Sequence, residues 1–170
     1  MKKLLFLILP VFFAVSISAQ EKCELSVNAA PMLFNLKLGM NGSQAKRAVG
    51  GRLNIKNIKT GTFFQNFIKN SPPPNLSGAS AIYLRFFDSK LYQIEIFYEN
   101  ENAVLENFVR SFSAKENLPP EFWKIEYGIA RLNCGEFSVI IDNFLNPRIQ
   151  LTDEIINAEF EKSQKKKKEN

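Results

Sequence analysis

The chain has 170 residues, a formal charge of +5 and no histidine. Without histidine, Ser-His-Asp and Cys-His catalytic sets are excluded in their usual form, and zinc loses its commonest ligand. The charge sits at the two ends: residues 20–160 balance to zero, so the domain offers no basic excess for a nucleic-acid face.

Met1-Lys2-Lys3 is followed by an uncharged run from Leu4 to Ala19, with small residues at its exit before Gln20-Glu21-Lys22. A positive start, an apolar middle and a small-residue end are the three parts of a secretory signal peptide, with cleavage expected between Ala19 and Gln20. The apolar stretch carries Pro10 and falls short of the ~20 residues a spanning helix needs, and no other segment is apolar enough to span. Cys23 is preceded by Gln-Glu-Lys, so a lipid anchor is not expected. The mature chain, with no transmembrane segment, is expected in the periplasm or outside the cell. Residues 20–160 read as one domain, and residues 161–170 as a basic, disordered tail.

Two cysteines, Cys23 and Cys134, enter an oxidising compartment on this reading. A bridge between them is expected, two buried thiols or an intermolecular link being the alternatives. Closing so long a loop is worth roughly 4–5 kcal/mol in the chain-entropy account.

Along the mature chain, Phe34 to Leu38 alternates apolar and polar, the period of a strand. Asn41 and Gln44 have the spacing of a capping box, and a short helix with Ala45, Ala48 and Val49 on one face ends at Gly50-Gly51. Arg52 to Lys56 alternates again, with Leu53 and Ile55 on one side. Phe63, Phe64, Phe67 and Ile68 have helical spacing, so a short helix or irregular turn is expected before the Pro72-Pro73-Pro74 loop.

Ala81 to Phe87 and Leu91 to Tyr98 read as a hairpin turning at Asp88-Ser89-Lys90. An amphipathic helix follows from near Asn100 or Asn102, carrying Val104, Leu105, Phe108, Val109 and Phe112, until Asn117, Pro119 and Pro120 stop it. Ile129 to Asn133 and Phe137 to Asp142 form a hairpin with Gly135 in its turn. Asn146-Pro147 turns the chain into a strand from Arg148 to Leu151, and Thr152 caps a last helix whose lysines suit its dipole. Hairpins dominate, so the expected fold is α+β: an antiparallel sheet with two or three helices packed on one face.

The run Leu36-Lys37-Leu38-Gly39-Met40-Asn41-Gly42-Ser43-Gln44-Ala45, closed by Gly50, resembles the opening of two related families. These are the small lipoprotein of the outer-membrane assembly machinery and the β-lactamase-inhibitor-protein-like proteins. More of the chain resembles a group of uncharacterised exported bacterial proteins. They share an early Cys before Ala-Pro (Cys23, then Ala30-Pro31), the same helix, the hairpin from Phe87 to Ile94, and a late Leu132, Cys134 and Phe137. The resemblance implies a helix packed on an antiparallel sheet; no second copy of the Leu-Gly-Met unit follows, and no activity comes with it.

The chemistry left is recognition. Glu95 and Glu99 lie ~13 Å apart on one strand face, too far for an acid–base dyad, and read as solvated carboxylates. Asp142-Asn143 and Asp153-Glu154 read as turn and cap residues. Neither an enzyme nor a cofactor or metal site is expected. Phe63, Phe64, Phe67, Tyr83, Tyr92, Tyr98 and Trp123 have the strand and helix spacing of core residues, and a binding face is the alternative for them. Tyr83, Tyr92 and Tyr98 are the candidates for a binding face toward an unknown envelope or extracellular protein. A secreted inhibitor of a hydrolase, using its open sheet face, is the alternative. Lys165, Lys166, Lys167 and Lys168 are suited to weak attraction by anionic lipid.

Overall fold

The computed structural model describes residues 22–51, 53–56, 58–67, 72–98, 104–142 and 147–169. The expected leader with its Ala19–Gln20 junction, Arg52, Glu99, Asn143 and the helix start near Asn100 lie outside them. Seven strands form one antiparallel sheet: β1 (Gly61–Asn66), β2 (Ala79–Phe87), β3 (Lys90–Tyr98), β4 (Lys124–Glu126), β5 (Ile129–Asn133), β6 (Phe137–Asp142) and β7 (Arg148–Asp153). Three helices accompany them: α1 (Gly42–Ala48), α2 (Leu105–Glu116) and α3 (Glu154–Lys168).

The strand order is β1-β2-β3-β7-β6-β5-β4. Each half is therefore a helix followed by a meander, α1 with β1 to β3 and α2 with β4 to β7. The two meanders meet through their last strands, from Gln93↔Thr152 to Phe97↔Arg148. Because β3 and β7 run antiparallel, the halves are related in topology by a half-turn about the sheet normal. The structure thus holds a repeat of helix and meander that no sequence motif announces.

Local chemistry explains the elements that match expectation. The Asn41 side chain accepts from the Gln44 N–H at 2.9 Å while the Gln44 side chain accepts from the Asn41 N–H at 2.8 Å, the expected capping box. At the far end, Gly50 and Gly51 both adopt positive φ. Their N–H groups donate to Arg47 and Lys46 carbonyls, ending α1 in a Schellman motif. Asp88 and Ser89, at φ 46° and 63°, make the two-residue turn that sets Phe87 opposite Lys90.

One continuous core lies on one sheet face. It takes Ile82, Leu84, Phe86, Leu91, Ile94, Ile96, Val139, Ile141, Ile149 and Leu151 from the strands. Ala45 and Val49 of α1 and its cap, and Val109 and Phe112 of α2, close it from the same side. Cys23 and Cys134 belong to it and are joined by a disulfide across a sequence separation of 111, so the expected intramolecular bridge is present. The N-terminal arm is pinned beside that bond by the Val27 N–H, which donates to Glu136 Oε2 at 2.8 Å.

Several expectations are corrected. Phe34 to Leu38 is not a strand. Leu33 and Leu36 bridge each other around Phe34 and Asn35, which take positive φ, and the alternation reflects core burial of Leu36 and Leu38 from a turn. Leu53 and Ile55 are likewise buried on alternate positions, yet residues 53–56 pair with no strand. The span 61–66 is a strand where a helix or turn was expected. Phe63 and Phe67 face the core and Phe64 the other side, so a two-faced strand mimicked the i, i+1, i+4 pattern of a helix. The proline run enters a short 3-10 turn at Pro74–Leu76, and the short strand β4 was not anticipated.

α3 differs most. It lies on the face opposite the core: none of its side chains joins the core cluster. Phe160 stacks on Tyr92 at 5.5 Å and meets Phe87 edge-on at 5.7 Å. It also continues through residues 161–168, expected as a disordered tail, because Lys, Gln and Glu are good helix formers and the lysines complement the C-terminal dipole.

Its cap is Asp153, not Thr152. Strand pairing extends to Asp153, whose carboxylate accepts from the Ile156 N–H at 2.9 Å, while the Thr152 hydroxyl accepts from Gln93 and Gln150. Burial pushes the Asp153 carboxyl above its ordinary range, against two backbone N–H groups that pull it down. A carboxyl raised in the folded state adds stability at acid pH that is lost as pH climbs through its folded pKa. Asp153→Asn, which keeps the capping oxygen, is therefore expected to match wild type in thermal melts near pH 3 and to exceed it at pH 7. Asp153→Ala should cost about 1 kcal/mol near pH 3 and less at pH 7.

Candidate functional site

Strand register fixes what the face opposite the core presents. Across β1, β2, β3 and β7 one row reads Phe64, Tyr83, Glu95, Gln150, and the next reads Thr62, Arg85, Gln93, Thr152. A third row runs Phe97, Arg148, Asp142 across β3, β7 and β6. This outer face is polar and aromatic, and α3 covers it over β3, β6 and β7 and, through Phe160, at Phe87 of β2.

Glu95 lies on this face, but it is buried at 7% exposure rather than solvated. Arg148 holds it at 3.3 Å, and the same guanidinium grips Asp142 Oδ2 at 2.6 and 2.9 Å. A guanidinium gripped by two carboxylates is fixed in place, and its carbon lies 6.0 Å from the Phe97 ring centre. Arg85 lies 5.1 Å from the Tyr83 ring centre, and Tyr83 meets Phe64 at 5.9 Å. Phe64 is 54% exposed, a large ring left open to solvent. Gln93 donates to Thr152 at 3.2 Å, but its buried carbonyl oxygen has no partner among the described residues.

The three tyrosines expected on one face are divided. Tyr83 belongs to the open part of the outer face. Tyr92 shares that face but is 2% exposed beneath Phe160, and burial raises its phenol pKa while Arg85 opposes the shift. Tyr98 is on the core side, between Phe34 at 6.1 Å and Phe108 at 6.2 Å. Burial, aided by the Glu116 charge, pushes its phenol up to about 12, so it stays protonated. Phe63, Phe67 and Trp123 pack in or against the core as expected.

Tyr98 lines a second feature, an open groove of about 500 Å³ between the turn at Met32–Asn35 and α2, with Phe108, Lys115 and Glu116 on its far wall. Two signals for these sites were missed in the sequence: Arg148 as the partner of Glu95, and the left-handed turn that presents Phe34. Among the described residues no helix is long and apolar enough to cross a membrane, and no three His, Cys, Asp or Glu side chains gather to hold a metal. Compared with known proteins, the chain matches no family model, no curated protein and no solved structure.

Proposed function

We propose that this protein is an exported, non-catalytic binding domain whose partner is an envelope or extracellular protein docking on the open part of the outer sheet face. The observation that carries the reading is the ordered array of Phe64, Tyr83 and Arg85 beside Arg148, itself fixed by Glu95 and Asp142. Aromatic and arginine side chains held in place are the residue types that anchor protein interfaces, because little rotamer entropy remains to be lost on binding. Export is supported by the positively charged start, apolar run and Ala19 exit of the sequence, and by a disulfide of the kind oxidising compartments sustain. The absence of histidine supports the non-catalytic part.

Crosslinking in cells, with wild type beside Phe64→Asp and Tyr83→Ala, tests the reading. A reproducible envelope protein captured by wild type and reduced at least about tenfold in both variants is expected, the loss typical of interface anchors. Recovery of abundant bystanders alone, or equal capture by the variants, would overturn it. Intact mass of the unreduced protein tests export: the chain should lack residues 1–19 and be two hydrogens lighter than its thiol form.

A further inference from the structure

The groove beside Tyr98 is separate from the proposed docking face, lying on the core side of the sheet. Its chemistry points elsewhere than to a protein surface. Phe34, Tyr98 and Phe108 form a continuous aromatic wall, and Met32, 55% exposed, stands at its edge. The rings meet at 35° and, edge to face, at 66°, and each of the three is half-buried, so part of every ring lines the groove.

The groove's carboxylate is Glu116, whose side chain is only 15% exposed. Its ion-pair partner, Lys115, is 79% exposed at 3.4 Å. Adjacent helix residues do not face each other, and such surface pairs are weak, so a better-placed cation can replace the lysine. Presenting Phe34 requires positive φ at Phe34 and Asn35, neither a glycine; backbone strain of this sort persists where the surrounding structure enforces it.

Aromatic rings beside a carboxylate, in a groove open to solvent, are complementary to an organic cation. We propose that this groove binds a quaternary or alkylated ammonium group, seated against Phe34, Tyr98 and Phe108 with Glu116 as its counter-charge. The phenol of Tyr98, protonated at neutral pH, adds no anion of its own, so Glu116 is the anionic contact and Lys115 the cation that the ligand displaces.

Nuclear magnetic resonance titration of the disulfide-bonded protein with choline and with 3,3-dimethylbutan-1-ol, its uncharged isostere, tests this. Choline should shift Met32, Phe34 and Phe108 resonances saturably, and the neutral alcohol should bind about tenfold more weakly, as loss of a cation–π contact implies. Glu116→Gln should weaken choline to a similar degree with an unchanged near-ultraviolet circular dichroism spectrum. Equal binding of the two probes to wild type would overturn the proposal and leave an apolar groove. So would the absence of saturable choline binding. The comparison on wild type needs no variant to fold, and it stands or falls independently of the outer face.

Discussion

Reducing the Cys23–Cys134 bond is expected to lower the unfolding free energy by about 4–5 kcal/mol. The bond closes nearly the whole domain into one loop, with a sequence separation of 111. Its removal releases the conformational freedom of that entire unfolded chain. Both sulfurs lie in the core, with Cys23 at 5% and Cys134 at 2% exposure, so serine replacements would add buried hydroxyls as a second cost. The clean comparison is urea unfolding of oxidised and reduced wild type, with Cys23→Ala/Cys134→Ala expected to track the reduced protein. A loss below about 1 kcal/mol would mean that the chain-entropy account does not apply, as when the unfolded ensemble is already constrained. The N-terminal arm hangs from this bond, and with it Met32 and Phe34, so the groove should open before the sheet does.

Arg148→Ala is the second large effect, an expected loss of about 2–3 kcal/mol. Removing one partner of a buried pair leaves its mate desolvated and uncompensated, at about 3–5 kcal/mol for full burial. Arg148 is 30% exposed and water can partly replace it, which places the loss at the lower end. Glu95 at 9% side-chain exposure and Asp142 at 14% are the groups left behind. Glu95→Gln in the Arg148→Ala background should recover part of the loss, because a neutral amide costs less to bury than a carboxylate. Chemical unfolding of the four proteins forms a double-mutant cycle. A coupling near zero would show that Arg148 acts through Asp142 and packing over Phe97 rather than through Glu95.

The hairpins were legible because their signals are local. Asp88-Ser89 and Gly135 tolerate the positive φ their turns need, and the flanking strands alternate over enough residues to exclude a helix. The capping box of α1 was legible for the same reason. What misled was alternation without a partner: Leu36 and Leu38, and Leu53 and Ile55, are buried at every second position by an extended chain that lies on the core but joins no ladder. Phe63, Phe64 and Phe67 were ambiguous because a strand buried on one side and aromatic on both matches a helical stripe over so short a span. The outer face was out of reach, since Glu95 meets Arg148 only through the pairing of strands 53 residues apart. Of the three tyrosines, parity along β3 places Tyr92 with Tyr98, whereas it lies on the face of Tyr83. The shift in register between Arg85 and Phe86 places Tyr92 opposite no residue of β2.

The single seam between β3 and β7 has a kinetic meaning. Each meander forms from neighbours in sequence, which is fast, but joining them requires closure of a loop that holds all of α2 and three strands. The seam is thus the slow, non-local step, and Cys23 of the first half reaches Cys134 of the second only across it. The rate at which thiols disappear during oxidative refolding should therefore report the docking of two preformed halves, with the native bond arriving last.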